Sequence, residues 1–267
     1  MEFKNRSVLI VGASSGIGKG LALKLAEQGA RVMVAARRLD KLEAVAREAR
    51  ARGGQCIAHA VDAQDGEAAE RLVQACVQAY GGLDLLVLNA GGAPALDLRT
   101  LQAREVLSYM RSNYDVAVNV LMPALHHMRE RRAGVVAVTN SLAGLMGVPL
   151  QGPYSAAKGA LRLLIDTARV EFASDGIRFV SIYPGFVATE AVAGDGMKPQ
   201  FELTEAQAVD HMLRAISSGR MDYAFPLRTK MLVSLANLLP KWLTVRVLRG
   251  DVPEQPQRPV KPAGPGP

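Results

Sequence analysis

Residues Val8 to Gly18 read VLIVGASSGIG, a pattern that is typical of one kind of fold. An apolar run of strand length leads into glycines spaced G-x-x-x-G-x-G, and an apolar helical pattern follows them. Glycines let the backbone turn tightly and approach a ligand, and the amides at a helix N-terminus favour negative charge. This unit therefore predicts a phosphate-binding turn for a dinucleotide, with a purely structural turn as the alternative. The predicted contacts are Gly12, Ser14, Ser15, Gly16, Ile17 and Gly18.

On either side of this turn, strand-like and helix-like segments alternate along the chain. The predicted strands cover residues 8–11, 31–35, 57–61, 85–88, 135–139 and 178–183, with a further short segment at 223–225. Apolar residues recur at helical spacing over 17–27, 39–49, 69–80, 103–131, 153–173 and 205–217. The strand-like runs are continuously apolar, as in a sheet covered on both faces. The pattern predicts an α/β fold with a Rossmann-like, doubly wound parallel sheet of about seven strands in three α/β/α layers.

Composition and charge limit the classes of function. The chain has 267 residues, of which 49% are apolar, and this is enough for a sizeable core. With only Cys56 and Cys76, no disulfide framework is expected, which favours a cytoplasmic location. The net charge of +7 is concentrated after residue 227, where seven basic residues face two acidic ones. Because no basic stripe crosses the folded part, a nucleic-acid partner is not expected. The four histidines are scattered or face different directions, and no metal site is predicted.

Tyr154 and Lys158 give the sharpest chemical signal. They lie four residues apart in the segment YSAAK, so they share one face of a helix. A free phenol has a pKa of about 10 and is a poor proton carrier at neutral pH. A neighbouring ammonium and the positive charge of an oxidised nicotinamide favour the phenolate, so we expect a lowered pKa for Tyr154. Tyr154 would then protonate an alkoxide or accept the proton of an alcohol, although this spacing alone also occurs by chance.

The residues after the second strand indicate the type of dinucleotide. Sites for NAD place a carboxylate here, which accepts hydrogen bonds from the ribose hydroxyls. This chain has Ala36 instead, followed by Arg37 and Arg38, and an arginine pairs with the extra phosphate of NADP. We therefore predict NADP(H) as the cofactor, with a solvated basic pair at a helix start as the alternative.

These motifs together resemble the classical short-chain dehydrogenases and reductases, of the type that prefers NADP(H). The glycine spacing, the NAG segment at 89–91, Ser141 thirteen residues before Tyr154, and the segment YPGFVAT at 183–189 follow in the order of that family. The resemblance spans roughly residues 7–227. One departure is Val11, which stands where most members have threonine. The family's threonine hydroxyl ties the turn to a later segment, so a looser turn is expected here.

The resemblance implies a catalytic tetrad of Asn113, Ser141, Tyr154 and Lys158. Ser141 would hold and polarise the substrate carbonyl, and Lys158 would hold the nicotinamide ribose. The backbone carbonyl of Asn113 would hold a water that links Lys158 to solvent. From the residues alone, Ser141 also fits a cap or turn serine, and Asn113 fits an amide on a helix surface.

The same resemblance implies the remaining cofactor contacts. Asp62 would accept a hydrogen bond from the adenine amino group, and the segment from Asn89 through Ala90 to Gly91 would line the site. The backbone at Val187 would bind the nicotinamide carboxamide. The predicted contacts at this end are Pro184, Gly185, Val187 and Thr189, together with Tyr154 and Lys158.

The chain is expected to comprise three parts. Residues 1–227 form one domain, including a mobile substrate lid at 190–204. Residues 228–250 form an apolar and basic helical extension, and the proline-rich residues 251–267 form a disordered tail. The extension is expected to pack on the domain or on a sister subunit. The alternative is peripheral contact with a membrane through residues 230–249.

The expected activity is NADPH-dependent reduction of a lipophilic ketone or aldehyde, or oxidation of the matching secondary alcohol. The resemblance also implies a homodimer or homotetramer that assembles through the helices near 103–131 and 153–173. Two alternatives remain at this point. One is an epimerase or dehydratase that recycles NADP, and the other is a redox-sensing or scaffolding protein that only binds it.

Overall fold

The computed structural model describes residues 2–92, 94–188 and 202–256. Seven described strands form one sheet in the order β3-β2-β1-β4-β5-β6-β7, and every neighbouring pair is parallel. The strands are β1 (Ser7–Val11), β2 (Arg31–Ala36), β3 (Gln55–Ala60), β4 (Leu85–Leu88), β5 (Gly134–Thr139), β6 (Ile177–Pro184) and β7 (Asp222–Phe225). The strand order reverses direction between β1 and β4, which opens a crevice at the carboxyl ends of the strands.

Helices cover both faces of this sheet. They are α1 (Gly16–Glu27), α2 (Leu39–Ala51), α3 (Gly66–Tyr80), α4 (Ala103–Met110), α5 (Val116–Arg131), α6 (Gly152–Glu171), α7 (Glu205–Ser218), α8 (Leu227–Leu238) and α9 (Lys241–Leu248). Helices α1, α2 and α7 pack on one face of the sheet, and α3, α5 and α6 pack on the other. Alternate residues of β1 enter the two cores, so the strand must be apolar throughout. The predicted doubly wound α/β fold is confirmed.

The helix predicted over 103–131 is confirmed, but it contains a π-helical segment that was not predicted. Helix α4 ends at Met110, and a π-helical segment, Arg111–Asp115, separates it from α5. A π segment inserts one extra residue into the helical ladder, which periodicity does not detect because the apolar stripe continues past it. The insertion places Asn113 inside the protein, with 1% of its surface exposed.

Strand β3 also differs from its predicted bounds of 57–61. It begins at Gln55 and ends at Ala60, and its burial is irregular, with Ile57 exposed. Strand β3 is at the edge of the sheet, so it is not covered as the central strands are. The prediction from a continuous apolar run therefore places the start of β3 two residues too late and its end one residue too late.

The C-terminal part described here is helical. Helix α8 follows β7 at one edge of the sheet, and Pro240 separates it from α9. Among the described residues, no helix is long and apolar enough to span a bilayer. The predicted lid at 190–204 falls mostly outside the described residues, as do residues 257–267 of the predicted disordered tail at 251–267. Residues 251–256 are described, and the Pro253 carbonyl accepts a hydrogen bond from Arg99 Nη2 at 2.9 Å. Within the described part, Leu203 forms a β-bridge with Val187.

Candidate functional site

A cavity of about 710 Å³ opens at the carboxyl ends of the central strands. Most of the predicted site residues line it: Gly12, Ser14, Ser15, Gly16, Ile17, Arg37, Arg38, Asp62, Asn89, Ala90, Gly91, Ser141, Tyr154, Lys158, Pro184, Gly185 and Val187. Gly18 and Asn113 are outside this lining and contact residues that form it. Thr189 is outside the described residues. The structure thus brings together residues that are far apart in the sequence.

The glycine turn is held tightly against the end of β4. Gly12 has a φ of +86°, and a Cβ there would lie 2.6 Å from the Cα of Ala90. Its backbone N–H donates to the Ala35 carbonyl at 2.8 Å, and its carbonyl accepts from Asn89 Nδ2 at 3.0 Å. Asn89 Oδ1 in turn accepts from the Thr139 hydroxyl at 3.0 Å. The turn is therefore tied to two later strands without a hydroxyl at Val11.

The start of α1 fits a bound phosphate. Ser15 is the N-cap of this helix, but its side chain makes no capping hydrogen bond to the first-turn amides. Instead, Arg38 Nη2 donates to the hydroxyls of Ser14 and Ser15 at 3.0 and 3.3 Å. Uncapped amides at a helix N-terminus beside a guanidinium form a site for an anion. At Gly18, a Cβ would overlap the carbonyl oxygen of Gly12, so glycine is needed for the close packing of the turn on its helix.

The neighbouring end of the cavity fits the adenosine half of a dinucleotide. Strand β2 ends at Ala36, and the exposed Arg37 and Arg38 follow it along the cavity wall. No carboxylate occupies these three positions. Asp62 lies beside them and accepts a hydrogen bond from the Gln64 amide at 3.1 Å, which fixes its side chain at the rim. Between the two arginines, Arg38 is the one that contacts the phosphate turn.

Lys158 is a buried cation at the inner end of the cavity. Its side chain is one turn of α6 from Tyr154, and Nζ lies 5.7 Å from the centre of the Tyr154 ring. Nζ donates to the carbonyl oxygen of Thr139 at 2.7 Å, and the residue is 3% exposed. Burial lowers the pKa of Lys158 from 10.5 to about 8. The ammonium is therefore still the main form at neutral pH, yet it can release a proton far more easily than an exposed lysine.

Ser141 and Tyr154 meet in the same place. Ser141 is the N-cap of a short 3-10 turn, Leu142–Gly144, and its hydroxyl accepts from the Ala143 amide at 3.1 Å. The serine is thus a cap and also a cavity residue. Burial raises the pKa of the Tyr154 phenol, and a hydrogen bond with Ser141 opposes this with a smaller lowering. The protein's own groups therefore do not produce the lowered pKa that the sequence led us to expect. They hold Tyr154 as a neutral phenol.

Asn113 supports the wall behind this pair. Its Oδ1 accepts from the Gly92 amide at 2.9 Å, and Nδ2 donates to the Tyr109 carbonyl at 3.1 Å. Gly91 lies between Asn113 and Lys158: a Cβ there would be 2.5 Å from Asn113 Oδ1 and 3.7 Å from Lys158 Nζ. The absence of a side chain at residue 91 thus lets the two polar groups approach one another. The asparagine is buried and fully engaged, unlike an amide on a helix surface.

The outer part of the cavity was not predicted from the sequence. It is formed by residues that follow β4, β5 and β6 and by residues of α4 and α8: Pro94, Tyr109, Leu142, Ala143, Val148, Gln151, Phe186, Thr229 and Val233. Most of these side chains are apolar. Apart from Phe186, which lies within the segment at 183–189, they belong to no spaced motif, so only the folded arrangement reveals them.

Comparison with known proteins identifies the family. A family model described as short chain dehydrogenase matches residues 6–199. An uncharacterized oxidoreductase of Myxococcus xanthus is 35% identical over 239 residues, which cover 90% of this chain and 94% of that protein. A 3-oxoacyl-acyl-carrier-protein reductase of Staphylococcus epidermidis is 33% identical over 199 residues, 73% of this chain and 82% of the reductase.

Two further relatives extend this comparison. An L-rhamnose 1-dehydrogenase (NAD(P)(+)) of Azotobacter vinelandii is 31% identical over 222 residues, 81% of this chain and 84% of that enzyme. A crystal structure assigned as a short-chain alcohol dehydrogenase of Sinorhizobium meliloti superposes with a TM-score of 0.77 at 26% identity, covering 84% of this chain and 96% of the other. The chain therefore belongs to the short-chain dehydrogenase family and is an oxidoreductase that uses a nicotinamide dinucleotide.

Proposed function

We propose that the protein reduces an uncharged, lipophilic ketone or aldehyde with NADPH, and oxidises the matching secondary alcohol in reverse. One observation carries this proposal: Tyr154 lines the cavity together with Ser141, and its ring centre lies 5.7 Å from the buried ammonium of Lys158. A neutral phenol is the form that can donate a proton to an oxygen that gains negative charge. Because burial raises the pKa of Tyr154, its phenol stays protonated and can serve as the proton donor of a carbonyl reduction.

Each protein group has a distinct part in this reaction. A nicotinamide held in this cavity would supply the hydride. The Ser141 hydroxyl, whose oxygen is fixed by the Ala143 amide, donates a hydrogen bond to the carbonyl oxygen and polarises it. Tyr154 transfers its phenolic proton to the same oxygen as negative charge develops. Lys158, held by the Thr139 carbonyl, stabilises the resulting phenolate and can return a proton to it.

The preference for NADPH is supported by the charges beside the phosphate turn. Ala36 removes the carboxylate that would repel a 2′-phosphate, and Arg37 and Arg38 provide positive charge on the same wall. Arg38 already contacts the two serines of the turn. A phosphate on the ribose would lie within a cluster of donors rather than beside an acid.

The substrate class is supported by the outer cavity. The relatives named above act on different substrates, a sugar and an acyl chain, so their names alone do not choose between them. In this chain Leu142, Val148, Phe186 and Val233 form an apolar wall that would desolvate a sugar without replacing its hydrogen bonds. An acyl or other hydrocarbon group fits this wall better.

Assembly as a homodimer or homotetramer is part of the proposal. Helix α4 exposes Leu107 and helix α6 exposes Leu163, with 57% and 58% of their surfaces accessible. Both helices belong to the segments that the family resemblance assigned to subunit contacts. Burying these side chains against a second copy would remove apolar surface from water.

The activity is tested by following NADPH absorbance with a panel of carbonyl compounds that includes aldoses, medium-chain ketones and aldehydes. We expect oxidation of NADPH with the apolar carbonyls and much less with the sugars, and a lower kcat/KM with NADH. An isomerised or dehydrated product without net NADPH consumption would instead indicate an epimerase or dehydratase. NADPH binding without turnover on any carbonyl would indicate a protein that only binds the cofactor.

A further inference from the structure

Helix α8 carries an apolar stripe on the side that faces away from the protein. Leu227, Met231 and Leu238 are 65%, 63% and 81% exposed. At about 100° per residue they fall within about 40° of one another around the helix axis. The opposite side of α8 is half-buried and contributes Thr229 and Val233 to the cavity wall. The stripe is therefore not the side by which the helix packs on its own domain.

Basic residues border this stripe on both sides. Arg228 and Lys230 project about 80° to either side of its centre, as expected from the same helical spacing. On the Arg228 side the exposed apolar surface continues, because Leu235 and Leu232, which are 59% and 57% exposed, fall on either side of Arg228 around the helix axis. Exposed apolar side chains interspersed with cations suit a surface that lies against anionic lipid headgroups.

Helix α9, which follows Pro240, also exposes apolar and basic side chains. Trp242 and Val245 are 70% and 65% exposed, and they share the outward side of the helix with Lys241 and Arg246. From Leu227 to Gly250 the chain has five basic residues and no acidic one. Eight of the seventeen strongly exposed large apolar side chains among the described residues fall between Leu227 and Val247.

We propose that the outward surface of α8 and α9 docks on an anionic lipid surface. The apolar stripe would enter the region between headgroups and acyl chains, and the bordering cations would contact the phosphates of the headgroups. Charge complementarity favours this occupant over a second copy of the chain. A twofold contact through the same surface would place the five basic residues of one protomer beside those of its partner, and like charges oppose such an interface.

Docking has a consequence for the substrate, and this consequence rests on the proposed function. Thr229 and Val233 line the cavity from the inner side of α8. When the outer side of α8 lies on the membrane, only the thickness of this helix would separate the cavity from the lipid. A carbonyl compound dissolved in the bilayer would then reach the apolar outer cavity over a short path. The docking itself does not depend on turnover.

The test is the partitioning of the full-length protein on extruded vesicles, without substrate. Vesicles of equal parts phosphatidylglycerol and phosphatidylcholine are compared with vesicles of phosphatidylcholine alone, at low and high salt. Trp242 is the only tryptophan of the chain, so its emission reports directly on this surface. We expect sedimentation with the anionic vesicles, a shift of the emission to shorter wavelength, and weakening of both by salt.

Two pairs of variants separate the electrostatic contribution to vesicle binding from the apolar contribution. Lys230→Gln and Arg246→Gln should each lower the partition coefficient roughly fivefold. Met231→Ser and Leu235→Ser should each lower it at least about tenfold. All four side chains are exposed, so the fold should be retained. The matched controls are Lys24→Gln on α1 and Ile57→Ser on β3, at the other edge of the sheet, and they should partition like the unmodified protein.

The proposal is overturned if the unmodified protein stays in the supernatant with both kinds of vesicle. It is also overturned if the controls lose as much binding as the surface variants. A third contrary result is a lipid-free protein whose molecular mass falls on Leu235→Ser, because that would show that a second copy covers this surface. Turnover on a water-soluble carbonyl is measured separately, so that failure of docking and failure of the proposed activity are distinguished.

Discussion

The ammonium of Lys158 donates to the carbonyl oxygen of Thr139 over 2.7 Å, and this contact fixes a charge inside the protein. Thr139 ends β5, and its hydroxyl also donates to Asn89, which holds the glycine turn. One strand end therefore connects the proton-transfer group with the phosphate-binding turn. The charge is kept at a cost to stability, because burial lowers the pKa of Lys158 to about 8.

We therefore predict that Lys158→Met gives a more stable but inactive protein. A shift of this size corresponds to a burial cost of roughly 2–4 kcal/mol at neutral pH, and loss of the hydrogen bond to Thr139 offsets roughly 1–2 kcal/mol of the gain. The free energy of unfolding in urea at pH 7 should rise by about 1–2 kcal/mol. A decrease would show that the ammonium stabilises the fold, contrary to this account.

The difference in the free energy of unfolding between Lys158→Met and the unmodified protein should depend on pH. Below about pH 8 Lys158 is charged in the folded and unfolded states, so the cost of burying it is fully present. Above its folded pKa the folded protein releases the proton while the unfolded chain retains it, and the cost is relieved. The advantage of Lys158→Met over the unmodified protein should therefore shrink by about 1 kcal/mol between pH 8 and pH 9.

Buried thiols do not obscure this comparison. Burial raises the pKa of Cys56 to about 11 and that of Cys76 to about 12, so both destabilise the fold as the pH rises above 9. Both cysteines are present in the variant and in the unmodified protein, so their effects cancel when the two free energies of unfolding are subtracted. Urea melts of both proteins across this pH range provide the measurement, and a constant difference would contradict the lowered pKa of Lys158.

Arg38 should determine the preference between cofactors. Arg38→Gln removes the charge that contacts Ser14 and Ser15, so KM for NADPH should rise roughly 10- to 100-fold, while KM for NADH changes little. Arg47→Gln on α2 is a matched control, because Arg47 pairs with Glu43 and does not line the cavity. Equal losses with both cofactors would mean that Arg38 only shapes the turn.

Asn89 should matter for both stability and cofactor binding. Asn89→Ala removes the donor to Gly12 and the acceptor for Thr139, so we expect a loss of roughly 2–4 kcal/mol in the free energy of unfolding. NADPH bound in excess should recover part of that loss, because the ligand stabilises only the folded form. Thermal melts with and without NADPH measure both effects. An unchanged melting temperature would show that the turn does not depend on this side chain.

The sequence predicted the central sheet and most of the cavity for identifiable reasons. Strands β1 and β4 are buried on both faces, which leaves an unambiguous apolar run, and Tyr154 and Lys158 lie one helical turn apart. The π segment at Asn113 was missed because one extra residue hardly changes the apolar stripe. Helical and strand periodicity likewise could not show which of Arg37 and Arg38 reaches the serines.

Other features depend on three-dimensional packing. The direction of the pKa shift of Tyr154 follows from how deeply the phenol is packed, and spacing in the sequence does not encode this. Thr229 and Val233 join the cavity only because α8 folds back beside β7. The exposure of Leu238 likewise distinguishes the free side of α8 from its packed side, which the sequence alone did not show.

Replacing Tyr154 by phenylalanine isolates the contribution of the phenol that we assign as the proton donor. The variant keeps the ring beside Lys158 and removes only the hydroxyl, so turnover of a carbonyl substrate should fall by about 10²- to 10⁴-fold. NADPH affinity, measured by fluorescence titration, should change less than about threefold. The control is Tyr80→Phe, which removes a phenol that donates to the Val32 carbonyl outside the cavity and should leave turnover intact. Turnover by Tyr154→Phe within about tenfold of the unmodified protein would contradict the assignment of Tyr154 as the proton donor.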